Sequence, residues 1–113
     1  METTAAIAAL AALAQESRLA AFRLLVQAGP SGLAATKIAE ALGVPPSSMS
    51  FHLKELTHAK LISPRQEGRF LFYAAQFDTM NTLLSFLGEN CCGGNPCSPV
   101  GATVCAQGSA DCT

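Results

Sequence analysis

From Thr36 to Tyr73 the chain reads TKIAEALGVPPSSMSFHLKELTHAKLISPRQEGRFLFY, and the order of its breakers and apolar periods leaves few ways to fold. Ile38, Ala39 and Leu42 recur at helical spacing over about 35–42, and Gly43 ends that helix as a C-cap. Pro45-Pro46 starts the next helix, because proline is tolerated in a first turn. Met49, Leu53 and Leu56 follow at i, i+4 and i+7 and predict its buried face. Leu61-Ile62 opens a strand, Gln66-Glu67-Gly68 makes the turn, and Arg69 to Ala74 returns. Two helices joined by a tight turn and followed by a short hairpin predict a winged helix-turn-helix, which lays its second helix in the major groove of duplex DNA.

That geometry sets the start of the second helix against base edges. Ser47, Ser48, Ser50, Phe51, His52 and Lys54 fall outside its apolar stripe and are the candidate contacts. The three serines are short donors and acceptors, suited to phosphates or to bases at close approach. His52 reads as structural or phosphate-facing rather than as a metal ligand. Arg65 and Arg69 flank the expected turn tip, where a wing would meet the DNA backbone or minor groove. A net charge of −1 argues against a DNA partner only until its distribution is considered. All seven basic residues lie between Arg18 and Arg69, so a mildly basic middle sits between acidic ends.

The remaining elements surround this unit. A helix over about 5–14, capped by Thr3 or Thr4, carries Ile7, Leu10 and Leu13 on one side. A second, about 16–28, carries Leu19, Phe22, Leu25 and Val26 and is stopped by Gly29-Pro30. A last helix, about 78–90 with Asp78 as N-cap, carries the stripe Met80, Leu83, Leu84 and Leu87. The helix at about 5–14 is too apolar to stand alone in water, the stripe of the helix at about 78–90 suits dimerisation more than packing within the chain, and both are expected to pack against a second protomer. The fold class is therefore mainly α with a small β-hairpin, in a homodimer: residues 1–90 form the DNA-binding and dimerisation domain, and 91–113 a cysteine-rich tail. No apolar run reaches the roughly 18 residues that span a bilayer. No basic segment precedes Ala5 to Ala14, so a cytoplasmic protein without a membrane partner is expected.

The tail holds all five cysteines, an odd number that favours thiolate ligands over a disulfide framework in a reducing compartment. In Cys91-Cys92-Gly93-Gly94-Asn95-Pro96-Cys97 the intervening turn residues can reverse the chain and return the third thiol to the first two. Soft thiolates select soft acceptors. Three sulfurs suit As(III) or Sb(III), whose lone pair occupies the fourth direction. Zinc prefers four ligands. Cys105 or Cys112 could supply the fourth, which leaves Zn(II), Cd(II) or Cu(I) open, as is reversible oxidation of Cys91 with Cys97. A thiol enzyme would pair C-x-x-C with a βαβ unit, and neither is present, so no catalytic residues are expected.

Several stretches together resemble the ArsR/SmtB family of metal-responsive repressors over about residues 5–90. They are Glu16-Ser17-Arg18-Leu19, Leu24-Leu25, Ile38-Ala39-x-x-Leu42-Gly43, Ser47-Ser48-Met49-Ser50-Phe51-His52-Leu53-Lys54-x-Leu56, Gly68-Arg69 and Tyr73. The S-x-H-L-K-x-L run from Ser50 to Leu56 is the most specific of them. The resemblance implies a homodimeric winged-helix repressor, joined through its first and last helices, that leaves operator DNA when it binds a metal ion or metalloid. The chain also departs from the family. Leu33 to Thr36 stand where arsenic-sensing members often carry cysteines, Phe51 where an arginine is usual, Pro46 where a glutamine is usual, and Lys60 where a glycine commonly caps the helix. The resemblance together with the tail thiols implies an arsenic-sensing member whose site, Cys91, Cys92 and Cys97, lies at its C-terminal end.

Overall fold

Five helices and a three-stranded antiparallel sheet follow one another in the computed structural model, which describes residues 1–90. Their order is α1 (Thr3–Leu13), α2 (Glu16–Ala28), β1 (Leu33–Ala34), α3 (Ala35–Leu42), α4 (Pro46–His58), β2 (Ile62–Glu67), β3 (Phe70–Ala75) and α5 (Phe77–Leu87). This is the expected winged helix-turn-helix, with a further short strand. Among the described residues, no single helix is long and apolar enough to cross a membrane.

The core forms where the helix-turn-helix meets α2 and the base of the hairpin. Leu25, Ile38, Met49, Leu53, Leu56, Leu61 and Ile62 are its largest fully buried side chains. The expected stripe of α4 is thus the buried one. In α1 the buried residues are Ala6, Ala9 and Ala12, whose small side chains let it approach its neighbours α2, α4 and α5 closely. Ile7 and Leu10 stand outward, 61% and 42% exposed. The threonines expected to cap α1 lie inside its first turn, and Glu2 occupies the N-cap without a side-chain bond. The cap of α2 is a real one: the Gln15 side chain accepts the Arg18 backbone N–H at 2.9 Å.

Both helix-turn-helix helices end in the same way. After α3, Gly43 is left-handed (φ 65°) and donates its N–H to Glu40, while Val44 donates to Ala39. After α4, Lys60 is left-handed (φ 64°) and donates to Thr57, while Leu61 donates to Leu56. Each is a Schellman ending, which satisfies carbonyls the helix leaves open and turns the chain sharply. The second ending places a lysine where glycine fits without steric cost. Lys60→Gly is expected to stabilise the fold by about 1 kcal/mol, read as a higher urea midpoint at unchanged slope. A lower midpoint would mean that the lysine side chain makes a stabilising contact.

β3 is the central strand. It pairs with β2 from Ile62↔Ala75 to Glu67↔Phe70, and with β1 at Leu33↔Tyr73 and Ala34↔Phe72. Gly32 (φ 69°) leads into β1 at a place where an added Cβ would overlap the Tyr73 carbonyl oxygen, so only glycine lets the two strands meet. Burial raises the Tyr73 phenol above its ordinary value of 10.0.

Three bounds expected from the sequence change. The hairpin turn is Gly68-Arg69, because β2 runs on through Gln66 and Glu67. The last helix starts at Phe77 with Gln76 at its N-cap, so Asp78 is a first-turn residue, where it still faces the positive helix end. The Gln76 N–H bonds to the Leu61 carbonyl at 2.8 Å, and this tie between strand base and helix sets the start. The helix ends at Leu87 rather than near 90, as Gly88 follows and Asn90 is left-handed (φ 60°).

Candidate nucleic-acid interface

The tight turn at Gly43-Val44 delivers α4 with its apolar stripe against α2 and α3 and with α1 and β2 beside it, and leaves the face of Ser47, Ser48, Phe51 and Lys54 to solvent. Pro46 has no N–H to lose at the first helical position, and the N-cap Pro45 makes no side-chain bond. The next two residues, Ser47 and Ser48, are exposed and carry first-turn N–H groups without carbonyls to bond within the helix. With the positive end of the helix dipole, this end of α4 suits an anion such as a DNA phosphate. Ser50, Phe51 and Lys54 are exposed on the turns that follow. Lys54 makes no ion pair among the described residues.

His52 differs from its neighbours. It is half-buried, and its Nδ1 lies 3.3 Å from an Arg18 Nη1. A guanidinium only donates, so Nδ1 accepts and the ring proton sits on Nε2. Arg18 also donates from Nε to the Ala12 carbonyl at 2.7 Å. One arginine therefore ties the end of α1 and the start of α2 to the middle of α4. His52 serves this joint with one nitrogen and has Nε2–H left to offer a phosphate.

The two wing arginines separate. Arg69 occupies the turn tip itself, exposed and without an ion pair among the described residues. Arg65 lies within β2 opposite Phe72 rather than beside the tip. It donates to Glu67 at 2.6 Å and to the Ser31 carbonyl at 3.0 Å, and its guanidinium sits 5.3 Å from the Phe72 ring centre. These contacts hold the hairpin to the loop before β1 and use Nε and one Nη2 donor, leaving Nη1 without a bond among the described residues. Phe70 and Leu71, next to the tip, are 59% and 40% exposed and were not singled out by the sequence. Only their place in an exposed wing, rather than their type, could have marked them.

Cys91, Cys92 and Cys97 lie outside the described residues, as do Cys105 and Cys112. Among the described residues, no three of histidine, cysteine, aspartate and glutamate come together to hold a metal ion.

Comparison with known proteins agrees with this geometry. Residues 13–65 match the family described as a helix-turn-helix domain. No curated protein matches the chain. Among solved structures, the chain is similar to a possible transcriptional regulator for arsenical resistance, with 29% identity over 69% of this chain and 78% of that one, at a TM-score of 0.60. It shares the fold of an ArsR-like transcriptional regulator from Rhodococcus sp. RHA1, at 22% identity, 92% and 86% coverage and a TM-score of 0.68. It also shares the fold of the homodimeric winged helix-turn-helix DNA-binding domain of a possible ArsR-family regulator from Mycobacterium bovis, at 24% identity, 82% and 86% coverage and a TM-score of 0.64. The helix-turn-helix match, with the neighbour for arsenical resistance, indicates a DNA-binding regulator rather than an enzyme.

Proposed function

We propose that this chain is a winged-helix transcriptional regulator of the ArsR family, a homodimeric repressor that leaves its operator when As(III) or Sb(III) binds Cys91, Cys92 and Cys97. The observation that carries this reading is the conjunction of two features. A winged fold similar to that of a possible regulator for arsenical resistance is followed, four residues after its last helix, by two adjacent cysteines and a third at 97. Three soft thiolates and no histidine in the tail fit a three-coordinate metalloid better than zinc. The alternative inducers Zn(II), Cd(II) and Cu(I) would draw a further ligand from Cys105 or Cys112.

The dimer reading is supported by the aliphatic side chains that the neighbouring helices α1 and α5 leave in solvent. Ile7 and Leu10 are joined there by Leu87, which is 56% exposed. The Mycobacterium bovis neighbour is a homodimer of this fold. A two-fold pair would present its two α4 helices to half-sites about 34–36 Å apart. An ion bound just past α5 acts where a shift of that helix against its mate misplaces one recognition helix. The inducer must then bind the free dimer more tightly than the DNA-bound one, and a full switch asks for about 5.5 kcal/mol of such preference.

The test is a gel shift on the DNA upstream of the gene, with arsenite, antimonite, zinc, cadmium, copper and peroxide in parallel. Release by arsenite and antimonite at the lowest concentrations is expected. Release by zinc or by peroxide alone would replace the inducer, and no shift at all would overturn the repressor reading. Lys54→Ala is expected to weaken binding to all sequences alike and to lower the slope of log K against log salt by about 1 per protomer. An unchanged slope would remove Lys54 from the phosphate contacts.

A further inference from the structure

We infer that Phe51 reads thymine, by setting its ring against the C5-methyl group of one base in each operator half-site. This rests on the repressor reading above. At about 100° per residue, Phe51 stands roughly opposite the Met49, Leu53 and Leu56 stripe, with Ser47 and Lys54 within about 60° of it. It is therefore the crest of the face that α4 offers, and it is 56% exposed. On the N-terminal side its helical neighbours are Ser47 and Ser48, too short to cover a phenyl ring, and on the C-terminal side they are Lys54 and Glu55; the ring remains open to solvent among them.

The ring is also held in place. It meets His52 edge-on, with centroids 5.9 Å apart and planes at 63°. His52 is in turn fixed by Arg18, itself bonded to the end of α1. A preset apolar ring on a major-groove helix finds its largest apolar feature among base edges in the thymine methyl. The polar groups there donate or accept hydrogen bonds, and a phenyl ring laid against one would desolvate it without return; the cytosine C5–H offers a smaller apolar contact than the methyl. The face thus divides its work: Phe51 selects a methyl, while the serines and Lys54 serve hydrogen-bonding and charged partners.

The experiment selects duplexes from a random pool with the full chain. It then replaces each thymine of the selected site by uracil, which removes only the methyl group, and each cytosine by 5-methylcytosine, which adds one. For the wild-type protein, uracil at one position per half-site is expected to weaken binding about fourfold, the value of one buried methyl-sized group. Placing 5-methylcytosine at that position should recover part of the loss relative to cytosine. Phe51→Ala should bind the selected site more weakly, remain selective at the other positions, and treat thymine and uracil there alike. Phe51→Leu, which keeps an aliphatic contact and the helix, should retain part of the discrimination.

A wild-type protein indifferent to uracil at every position would overturn the inference, as would a Phe51→Ala protein that still discriminates. Either result leaves the repressor reading standing. A wild-type protein that selects no duplex at all removes both.

Discussion

Serine in place of Cys91, Cys92 or Cys97, one at a time, is expected to leave a protein that holds operator DNA and no longer releases it in arsenite. Serine keeps the shape of the side chain but replaces a soft thiolate by a hard hydroxyl that stays protonated. A three-coordinate metalloid then loses one of its three bonds. A loss of roughly 100-fold in inducer affinity, about 2.7 kcal/mol, is a conservative figure for one ligand of three. DNA affinity should be unchanged, because these residues follow in sequence both the matched helix-turn-helix domain at 13–65 and the last helix, which ends at Leu87. Fluorescence anisotropy of labelled operator, titrated with arsenite, measures both quantities together. Cys105→Ser and Cys112→Ser should respond as the wild type does. If they fail to respond while the first three respond normally, the ligands have been assigned to the wrong cysteines.

The double change Ile7→Glu with Leu10→Glu is expected to give a folded monomer that binds operator at least roughly 100-fold more weakly. Both side chains already face solvent, so the substitutions leave the buried Ala6, Ala9 and Ala12 surface alone. Two charges on each face would meet two like charges across a two-fold interface, and their desolvation finds no compensation there. DNA affinity falls because two linked recognition helices gain 10²–10⁴-fold over one, a gain that ends when the link is cut. Analytical ultracentrifugation and operator titration measure the two effects, with thermal unfolding as the control for the fold. A variant that remains dimeric would remove α1 from the interface.

The helix-turn-helix was legible because its signals are local. Gly43 left-handed after α3, prolines at the head of α4 and the Met49, Leu53 and Leu56 period each act within one or two turns of chain, and each stands where expected. Contacts between distant residues were not legible. Arg18 and His52 are 34 positions apart, and nothing in either neighbourhood announces their bond. Strand β1 has two residues, too few to show a period, and exists because Gly32 lets it reach Tyr73. Arg65 was expected beside the wing tip, and its bonds to Glu67 and Ser31 and its place over Phe72, which brace the hairpin, depend on strand register and were not legible.

The tail and α1 show the same division from opposite sides. Three thiols in seven residues specify soft-ligand chemistry whatever their setting, because a sulfur's preference belongs to the atom. The way α1 faces was open, since alanines lie on one side and Ile7 and Leu10 on the other, with no polar face to decide. The tertiary structure turned the alanines inward, because only small side chains let α1 sit against α2 and α4, and so left the larger residues at the surface. Residue chemistry and local period are properties of a few neighbours in sequence. The outward face of α1, the third strand and the place of each arginine depend on which distant surfaces pack, and that is decided only when the whole core closes.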